Sequence, residues 1–312
     1  MEQDFRPYLA GLSVSIIWGF SFLLTKGALD ILTPFHLLGL RFAMALLVFM
    51  VLRISGLMKV NWKGKNLKRL LLLTAVQPVS YFLFETIGIN LTSSSETGMM
   101  IAIVPVVTTV LGIIFLNERP SSLQAGFMIL SVTGVAFSTF MKGNIQFGGN
   151  LLGTFMVLGA VLSAGVFNIL SRKFSSEFTP IEITYVMMWT GAIVFNTISM
   201  TQHLQQGSMS TYLQPLTNPK VIVAVFYLGI LASVLAFFMN NFMLSRLEAT
   251  RASVFSNLTT VCSIIAGVII GNEQFYWFSA VGAGMILLGV WGTNYYSKPT
   301  TSEDVSAVPG CE

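Results

Sequence analysis

The sequence predicts an all-α integral membrane protein with ten transmembrane helices, arranged as two inverted five-helix repeats around a central cavity. Composition is the first indication, because 54% of the 312 residues are apolar and only 10% are charged. Soluble globular domains carry about 25% charged residues. The second and third indications are long uncharged stretches and motifs that recur at a constant spacing.

The uncharged stretches set the number of spans. Each is close to the roughly 20 residues that a helix needs to cross the apolar core of a bilayer. A backbone in lipid must satisfy its own hydrogen bonds, so the spans are predicted to be helices and not strands. We place ten of them, near residues 8–26, 34–52, 70–89, 97–116, 121–140, 150–171, 180–200, 220–241, 252–271 and 275–296.

An internal repeat joins the first and second halves of the chain. Asn117-Glu118 recurs as Asn272-Glu273 at an offset of 155 residues, and Thr33-Pro34 recurs as Thr179-Pro180 at an offset of 146. Repeats inside a membrane protein are typical of transporters, in which the substrate lies near the midplane between the two repeats. We therefore expect a shared site between the halves.

The repeat also sets the domain boundaries. Residues 8–140 form the first five-helix repeat, residues 148–296 form the second, and residues 297–312 are predicted to be a disordered cytoplasmic tail. Because five is odd, the second repeat enters the membrane from the opposite side. The two repeats are then related by a two-fold axis that lies in the membrane plane, which is the geometry of alternating access.

Basic residues set the orientation, since cytoplasmic loops are enriched in Lys and Arg. With a cytoplasmic N-terminus, thirteen of the 17 Lys and Arg residues lie in inner segments, three lie in outer segments, and Arg41 lies inside a span. Both termini of this multi-pass protein are thus predicted to lie on the cytoplasmic side of the cell membrane. This bias and contact with anionic lipid explain the net charge of +4, so we expect no nucleic-acid partner.

The order of several short motifs, which occurs twice, carries a family resemblance. The first half contains Trp18-Gly19-Phe20-Ser21, a Ser/Thr turn at 93–95, a helix with Pro105, and Asn117-Glu118-Arg119-Pro120. In this order the chain resembles the EamA branch of the drug/metabolite transporter superfamily over about residues 8–296. The resemblance implies ten helices, transport of small metabolites, often export of amino acids or their analogues, and a cavity lined by helices one, three, four, six, eight and nine.

The second half departs from this pattern, because Glu273 is followed by Gln274-Phe275 and Thr260 replaces the proline. We interpret Glu118 and Glu273 as structural residues at helix ends, not as substrate ligands. The first span contains no Asp or Glu, whereas small multidrug members of the superfamily use a carboxylate there for proton exchange. Proton coupling and facilitated diffusion therefore both stay open.

Two charged residues lie inside the predicted spans. A charge near mid-membrane costs roughly 2.5–3.5 kcal/mol on insertion scales, so it must face a partner or water. Arg41 lies about 10 Å and Glu85 about 6 Å from the outer ends of their helices, at 1.5 Å per residue. Either the two form a fixed ion pair, or Arg41 binds a substrate carboxylate or phosphate, or Glu85 binds a substrate amine.

Aromatic and amide side chains complete the set of candidate substrate-binding residues. An aromatic wall with a few amides suits an amphiphilic molecule of amino-acid size, although ordinary packing is the alternative for each residue. Together with Arg41 and Glu85, the candidates are Trp18, Phe22, Tyr81, Asn168, Asn240 and Asn257.

Small residues at every fourth position favour close helix packing. Gly11, Ser15 and Gly19 form such a groove on the first span, where we expect contacts within the molecule. In the last span, Gly282, Gly284 and Gly289 are candidates for a homodimer contact.

The leading hypothesis is a secondary transporter that exports a small, amino acid-like metabolite by alternating access, with membrane lipid as its other partner. The alternatives are a carrier for a phosphorylated or nucleotide-linked solute, or for a cationic drug-like compound. A phosphorylated solute would need several cations, whereas the spans hold one deep Arg. An intramembrane sensor or enzyme is the alternative from another class. The sequence has no HExxH, GxSxG or P-loop motif, so we predict no enzyme, cofactor or metal.

Overall fold

The structure is a computed structural model that describes residues 5–61, 63–91, 100–101, 103–141, 151–270 and 276–296. The described residues form helices, turns and bends, with no strand among them. The predicted tail at 297–312, the Ser/Thr turn at 93–95 and the Asn272-Glu273 motif lie outside the described residues.

The helical elements are numbered in chain order, and consecutive segments of one helix share a label. They are α1 (Arg6–Leu29), α2 (Pro34–Ile54), α3 (Leu67–Thr74, Ala75–Ser80 and Tyr81–Leu91), α4 (Val104–Leu116), α5 (Ser122–Met141), α6 (Leu151–Phe174), α7 (Pro180–Gln205), α8 (Pro219–Phe226, Tyr227–Leu235 and Ala236–Arg246), α9 (Ala249–Ser253 and Phe255–Ile269) and α10 (Trp277–Tyr295).

Length and composition identify six of these helices, within the described part of the chain, as able to cross a membrane: α1, α2, α3 over Leu67–Gly88, α6, α7 and α8 over Pro219–Arg246. Shorter apolar helices cover Val104–Leu116 and Ser122–Ser138. The all-helical membrane fold is thus confirmed, and the count of ten spans stays a prediction.

The repeated Thr-Pro motif starts α2 and α7 in the same way. Thr33 and Thr179 have extended backbones, and each side chain accepts a hydrogen bond from the N–H three residues on. The proline that follows occupies the first helical turn, where its missing N–H costs nothing. In α7, Glu182 also accepts a bond from the Thr179 N–H at 2.9 Å, which completes a capping box.

The two halves of the chain interlock. The most extensive helix contacts join α5 to α10 and α3 to α6, while α1 packs on α8 and α9, α2 packs on α7, and α6 also packs on α4. Each helix of the first half has a counterpart five helices later, so α1 corresponds to α6 and α2 to α7. When every helix is replaced by its counterpart, the same set of contacts results. The pairing therefore has the two-fold symmetry expected of two repeats, and most helices meet the other half more than their own.

Equivalent glycines make equivalent contacts in the two halves. A Cβ atom at Gly19 of α1 would overlap the side chain of Cys262 and lie 3.0 Å from the Ser263 backbone N of α9. A Cβ atom at Gly165 of α6 would lie 2.7 Å from Cγ1 of Val107 in α4. Gly19 corresponds to Gly165 at the offset of 146, and Val107 corresponds to Cys262 at the offset of 155. The sequence repeat is thus a repeat of helix packing.

The small-residue groove predicted on α1 is filled by α9. A Cβ at Gly11 would lie 2.8 Å from the ring of Phe255. The Ser15 hydroxyl donates hydrogen bonds to the carbonyls of Gly11 and Phe255, at 2.9 Å and 2.8 Å. The groove therefore serves contacts within the molecule, as the sequence predicts.

Glycines of α10 pack mainly against α5 of the same chain. A Cβ at Gly282 would lie 2.6 Å from the carbonyl oxygen of Gly134, and one at Gly289 would lie 2.6 Å from that of Phe127. Only Gly284, of the three glycines assigned to a homodimer contact, has no heavy atom within 4 Å of such a Cβ. Two of the three glycines assigned to a dimer contact thus pack against α5 of the same chain.

This difference predicts opposite effects of one added methyl group on α10. We expect Gly282→Ala to destabilise the protein by about 1–3 kcal/mol, because the methyl group meets backbone that cannot move aside. Gly284→Ala should leave stability unchanged or raise it slightly, because Ala is the better helix former. Thermal denaturation of both variants in the same detergent measures the difference. Equal melting temperatures would contradict the close α5–α10 packing.

Candidate functional site

A break in α3 precedes the candidate site. Gln77 has extended backbone angles (φ −144°, ψ 120°) inside the helix, and the next residue, Pro78, has no N–H to donate. The helix resumes at Tyr81 and continues to Leu91. Non-helical backbone at membrane depth is tolerated only where protein buries it or where it lines a cavity. The break therefore marks the interior of the bundle.

Arg41 of α2 packs against the helical segment that follows this break, at Phe82. Its side chain is buried, and its Nε donates a 2.7 Å hydrogen bond to the Ser233 hydroxyl of α8. The guanidinium carbon lies 4.8 Å from the centre of the Phe82 ring and 5.7 Å from that of Phe42. These aromatic faces attract the cation, an effect that strengthens when water is excluded. Within the described residues, the terminal Nη1 and Nη2 atoms have no hydrogen-bond partner.

Glu85 of α3 is the acidic residue of this cluster. The Tyr81 hydroxyl donates a 2.9 Å hydrogen bond to Glu85 Oε1, which confirms that the two residues share one helix face. Arg41 and Glu85 attract each other electrostatically. However, no N···O distance of 4 Å or less joins them, since both described ion pairs involve other residues. The fixed ion pair that the sequence left open is therefore not formed.

Aromatic rings connect this cluster to α1. The Trp18 indole lies 5.3 Å from the ring of Phe237, which in turn lies 6.4 Å from the ring of Phe82. Trp18 Nε1 donates a 3.1 Å hydrogen bond to the carbonyl of Ala232 in the π-helical segment Tyr227–Leu235. Such segments are frequent at functional sites. Here one π-helical segment holds both Trp18 and, through Ser233, Arg41.

The amide candidates separate into two groups. Asn240 is buried one turn after Phe237 on α8, and among the described residues its side chain has no hydrogen-bond partner. Asn168 of α6 donates to Thr108 of α4 at 3.2 Å, and Asn257 of α9 donates to Ser131 of α5 at 3.1 Å. The structure therefore places Asn240 next to the aromatic wall. The amides of Asn168 and Asn257 form hydrogen bonds that join neighbouring helices.

The structure also adds site residues and leaves one undescribed. Ser233, Phe82 and Phe237 contact the candidate residues, and the sequence analysis did not select them. A lone Ser in an apolar helix is a weak signal, because such hydroxyls usually bond to their own helix. The side chain of Phe22 lies outside the described residues.

An open groove is separate from this cluster. It has a volume of about 290 Å³ and is lined by residues of α2 and α7 that are apolar apart from one amide: Ala43, Leu46, Leu47, Met50, Ala192, Ile193 and Asn196. The groove shares no lining residue with the Arg41 cluster. The central cavity between the halves stays a prediction.

Two interlocked helical repeats, with a buried arginine and a half-buried glutamate that form no ion pair with each other, define a multi-pass membrane protein of the transporter class. The EamA-like transporter family matches the described halves separately, over residues 5–140 and again over residues 151–295. The chain belongs to the EamA-like transporter family. It is therefore a membrane transporter with a small-molecule substrate in a lipid environment, as the resemblance implied.

Individual relatives agree with this family. The uncharacterized transporter YcxC of Bacillus subtilis is 37% identical to this chain over 94% of each chain. A protein of Escherichia coli named "Probable amino-acid metabolite efflux pump" is 23% identical over 90% of this chain and 92% of that protein. A solved crystal structure shares the fold with a TM-score of 0.76, at 17% identity, over 93% of this chain and 99% of the other.

Proposed function

We propose that this transporter exports a zwitterionic, amino acid-like metabolite by alternating access between its two repeats. The observation that carries this proposal is the separation of Arg41 and Glu85. Arg41 packs on the ring of Phe82 and Glu85 bonds to the adjacent Tyr81, yet the two opposite charges form no direct ion pair. A buried charge without a partner is costly. A ligand that carries both charges would satisfy the two residues at once.

The free atoms suit such a ligand. The unbonded Nη atoms of Arg41 can hold a carboxylate through two parallel hydrogen bonds. Glu85 Oε1 accepts from Tyr81, which leaves Oε2 to receive an ammonium group. The wall of Trp18 and Phe237 supplies apolar contact for the remainder of the molecule. Asn240 adds one unpaired amide at its edge.

Location and direction complete the proposal. The bias of basic residues supports a multi-pass protein of the cell membrane with both termini in the cytoplasm. The name of the Escherichia coli relative, an efflux pump for amino-acid metabolites, supports export. A homodimer stays a prediction, and Gly284 is the one of its three assigned contact glycines that no neighbouring helix covers.

Flux measurements with purified protein in liposomes test the substrate. We expect accelerated movement of radiolabelled amino acids and little movement of an organophosphate. The organophosphate arm tests the alternative carrier, which a single deep Arg supports weakly. Movement of the organophosphate alone would overturn the proposed substrate class.

Glu85→Gln tests recognition of the substrate's ammonium group separately from recognition of its carboxylate. We expect the KM for an amino acid to rise roughly tenfold or more, because a charge-assisted hydrogen bond to the ammonium group is lost. The KM for the corresponding 2-hydroxy acid, which has no ammonium group, should change little. Glu177→Gln is the matched control, since Glu177 pairs with Arg69 at a partly exposed position outside the cluster.

The same variant tests proton coupling. Glu85 is the deep acidic candidate of the sequence, so flux with and without a pH gradient is measured for the wild-type protein and for Glu85→Gln. Loss of the gradient effect in the variant would support Glu85 as the proton site. Gradient-dependent flux that survives intact removes Glu85 from that role.

A further inference from the structure

The repeated Asn-Glu motif shapes the end of α4. After Leu116, Asn117 adopts a left-handed conformation with φ 54°, and the N–H groups of Asn117 and Glu118 both donate to the Gly112 carbonyl. Asn is one of the few residues besides Gly that tolerate this conformation. A Cβ at Gly112 would lie 2.8 Å from Glu118 Oε2, so only Gly allows the carboxylate to fold back over the helix.

The Glu118 carboxylate binds the other half of the protein. Oε1 accepts a 2.6 Å hydrogen bond from the Ala249 N–H, and Oε2 accepts bonds from the Thr250 N–H at 2.9 Å and from its hydroxyl at 2.6 Å. Glu118 is only 8% exposed. As the sequence predicts, Glu118 lies at a helix end, but the helix that it caps is α9 of the second repeat.

Further contacts surround this cap. The Arg251 guanidinium donates to the Tyr8 hydroxyl of α1 and lies 5.7 Å from the centre of its ring. Arg172 of α6 donates to the Leu244 carbonyl at 3.2 Å and attracts Glu118 electrostatically. Five helices, α1, α4, α6, α8 and α9, thus meet at this end of the bundle.

The contact between α4 and α9 is concentrated at this end. α4 packs against the short first segment of α9, Ala249–Ser253, far more than against the second segment, Phe255–Ile269. Within the described residues, the two helices therefore meet at Glu118 and diverge beyond it. A pair of helices joined at one end and apart at the other is the arrangement expected when a cleft is closed on one side.

We propose that Glu118 is the gating residue of the inner end, and that the inner end opens when its carboxylate leaves Ala249 and Thr250. The proposal rests on the proposed function for the motion, alternating access, and for the orientation in the membrane, but not for the substrate. The Arg69–Glu177 ion pair also joins the two halves, but it is partly exposed, so solvent screens it and it contributes little. The Glu118 cap is buried, and its charge-assisted hydrogen bonds are shielded from water. The Lys65–Glu182 pair is a second buried link between the halves, but it joins α7 to the segment before α3 and not α4 to α9.

Side-specific labelling tests the gate without any substrate. The reporter is Ser253→Cys, which is buried in this structure, in a background that carries Cys262→Ser and Cys311→Ser. Inside-out membrane vesicles are treated with a membrane-impermeant maleimide. We expect Glu118→Ala to accelerate labelling roughly ten- to a hundredfold. Labelling from outside, on intact cells, should not increase.

Two further variants separate gating from general loss of structure. Thr250→Val keeps the shape of the side chain and removes one donor, so it should accelerate labelling less than Glu118→Ala. The double variant should label no faster than Glu118→Ala alone, because both changes remove the same bond. If Glu118→Ala does not fold, Glu118→Gln and Thr250→Val carry the test, with an intermediate acceleration expected of each.

Glu177→Ala is the matched control, since it removes a carboxylate that joins the halves at a partly exposed position. Its labelling rate should stay within about twofold of the reference. Unchanged labelling in Glu118→Ala, or an equal rise in Glu177→Ala, would overturn the gate. Faster labelling without any amino-acid flux would instead preserve the gate and reject the substrate proposal.

Discussion

Arg41→Gln is expected to reduce kcat/KM for a zwitterionic substrate by a factor of roughly 30 to 4,000. Removing one partner of a buried, hydrogen-bonded charge pair costs about 2–5 kcal/mol, and about 1.4 kcal/mol corresponds to a factor of ten. The Gln side chain cannot offer two parallel N–H groups to a carboxylate, and it leaves the Glu85 charge without its electrostatic partner. Exchange of radiolabelled substrate in liposomes measures the loss.

Arg53 provides the matched control on the same helix. It also lies over an aromatic ring, at 5.7 Å from the centre of Tyr185, and donates a 2.6 Å hydrogen bond to that hydroxyl. However, Arg53 is exposed near the end of α2. We expect Arg53→Gln to keep transport within about twofold, because exposed charges contribute little. Equal losses in Arg41→Gln and Arg53→Gln would contradict a substrate role for Arg41.

Ser233 refines this test, because its hydroxyl orients the Arg41 guanidinium through Nε. Ser233→Ala should raise the KM for substrates with a carboxylate about tenfold, the cost of one hydrogen bond to a charged group. It should leave a substrate analogue without a carboxylate unaffected. Ser233→Thr keeps the hydroxyl and should restore most of the wild-type KM.

Gly19→Val is expected to destabilise the protein by about 3 kcal/mol or more, the upper part of the range for overpacking. The added side chain would overlap Cys262 and press on the backbone of α9 at Thr259 and Ser263, both 3.0 Å from a Cβ at this position. Backbone in a packed helix cannot move aside as a flexible side chain can. Thermal denaturation in detergent, followed by size-exclusion chromatography, measures the effect.

Gly27 is the matched control for this change, since it lies on the same helix and a Cβ there meets no heavy atom within 4 Å. Gly27→Val should therefore leave the melting temperature nearly unchanged. If both variants lose the same stability, the effect belongs to helix α1 itself and not to its contact with α9.

Much of the fold could be predicted because membrane helices are encoded locally. An uncharged run of sufficient length must form a helix in lipid, and the Thr-Pro motif marks the start of α2 and α7 directly. The groove at Gly11, Ser15 and Gly19 was also predictable, since spacing alone places small residues on one face. The offsets of 146 and 155 then anticipated the equivalent contacts of the two halves.

The site was harder to predict because its partners come from distant parts of the chain. The i, i+4 spacing of Tyr81 and Glu85 is local, and the structure confirms their contact. The Trp18 indole bonds to a backbone carbonyl of Ala232, a partner that no residue type reveals. A π-helical segment also shifts the helical period, so periodicity could not show that Ser233 faces Arg41.

Interlocking of the two halves has a consequence for how the protein is made. Synthesis delivers α1 to α5 first, before α7, α9 and α10 exist to receive them. During that interval Arg41 lacks the hydroxyl of Ser233, and Ser15 lacks the Phe255 carbonyl. The hydrocarbon of the bilayer offers a hydrogen-bond acceptor to neither group. We therefore expect the first half on its own to insert less stably than the whole chain.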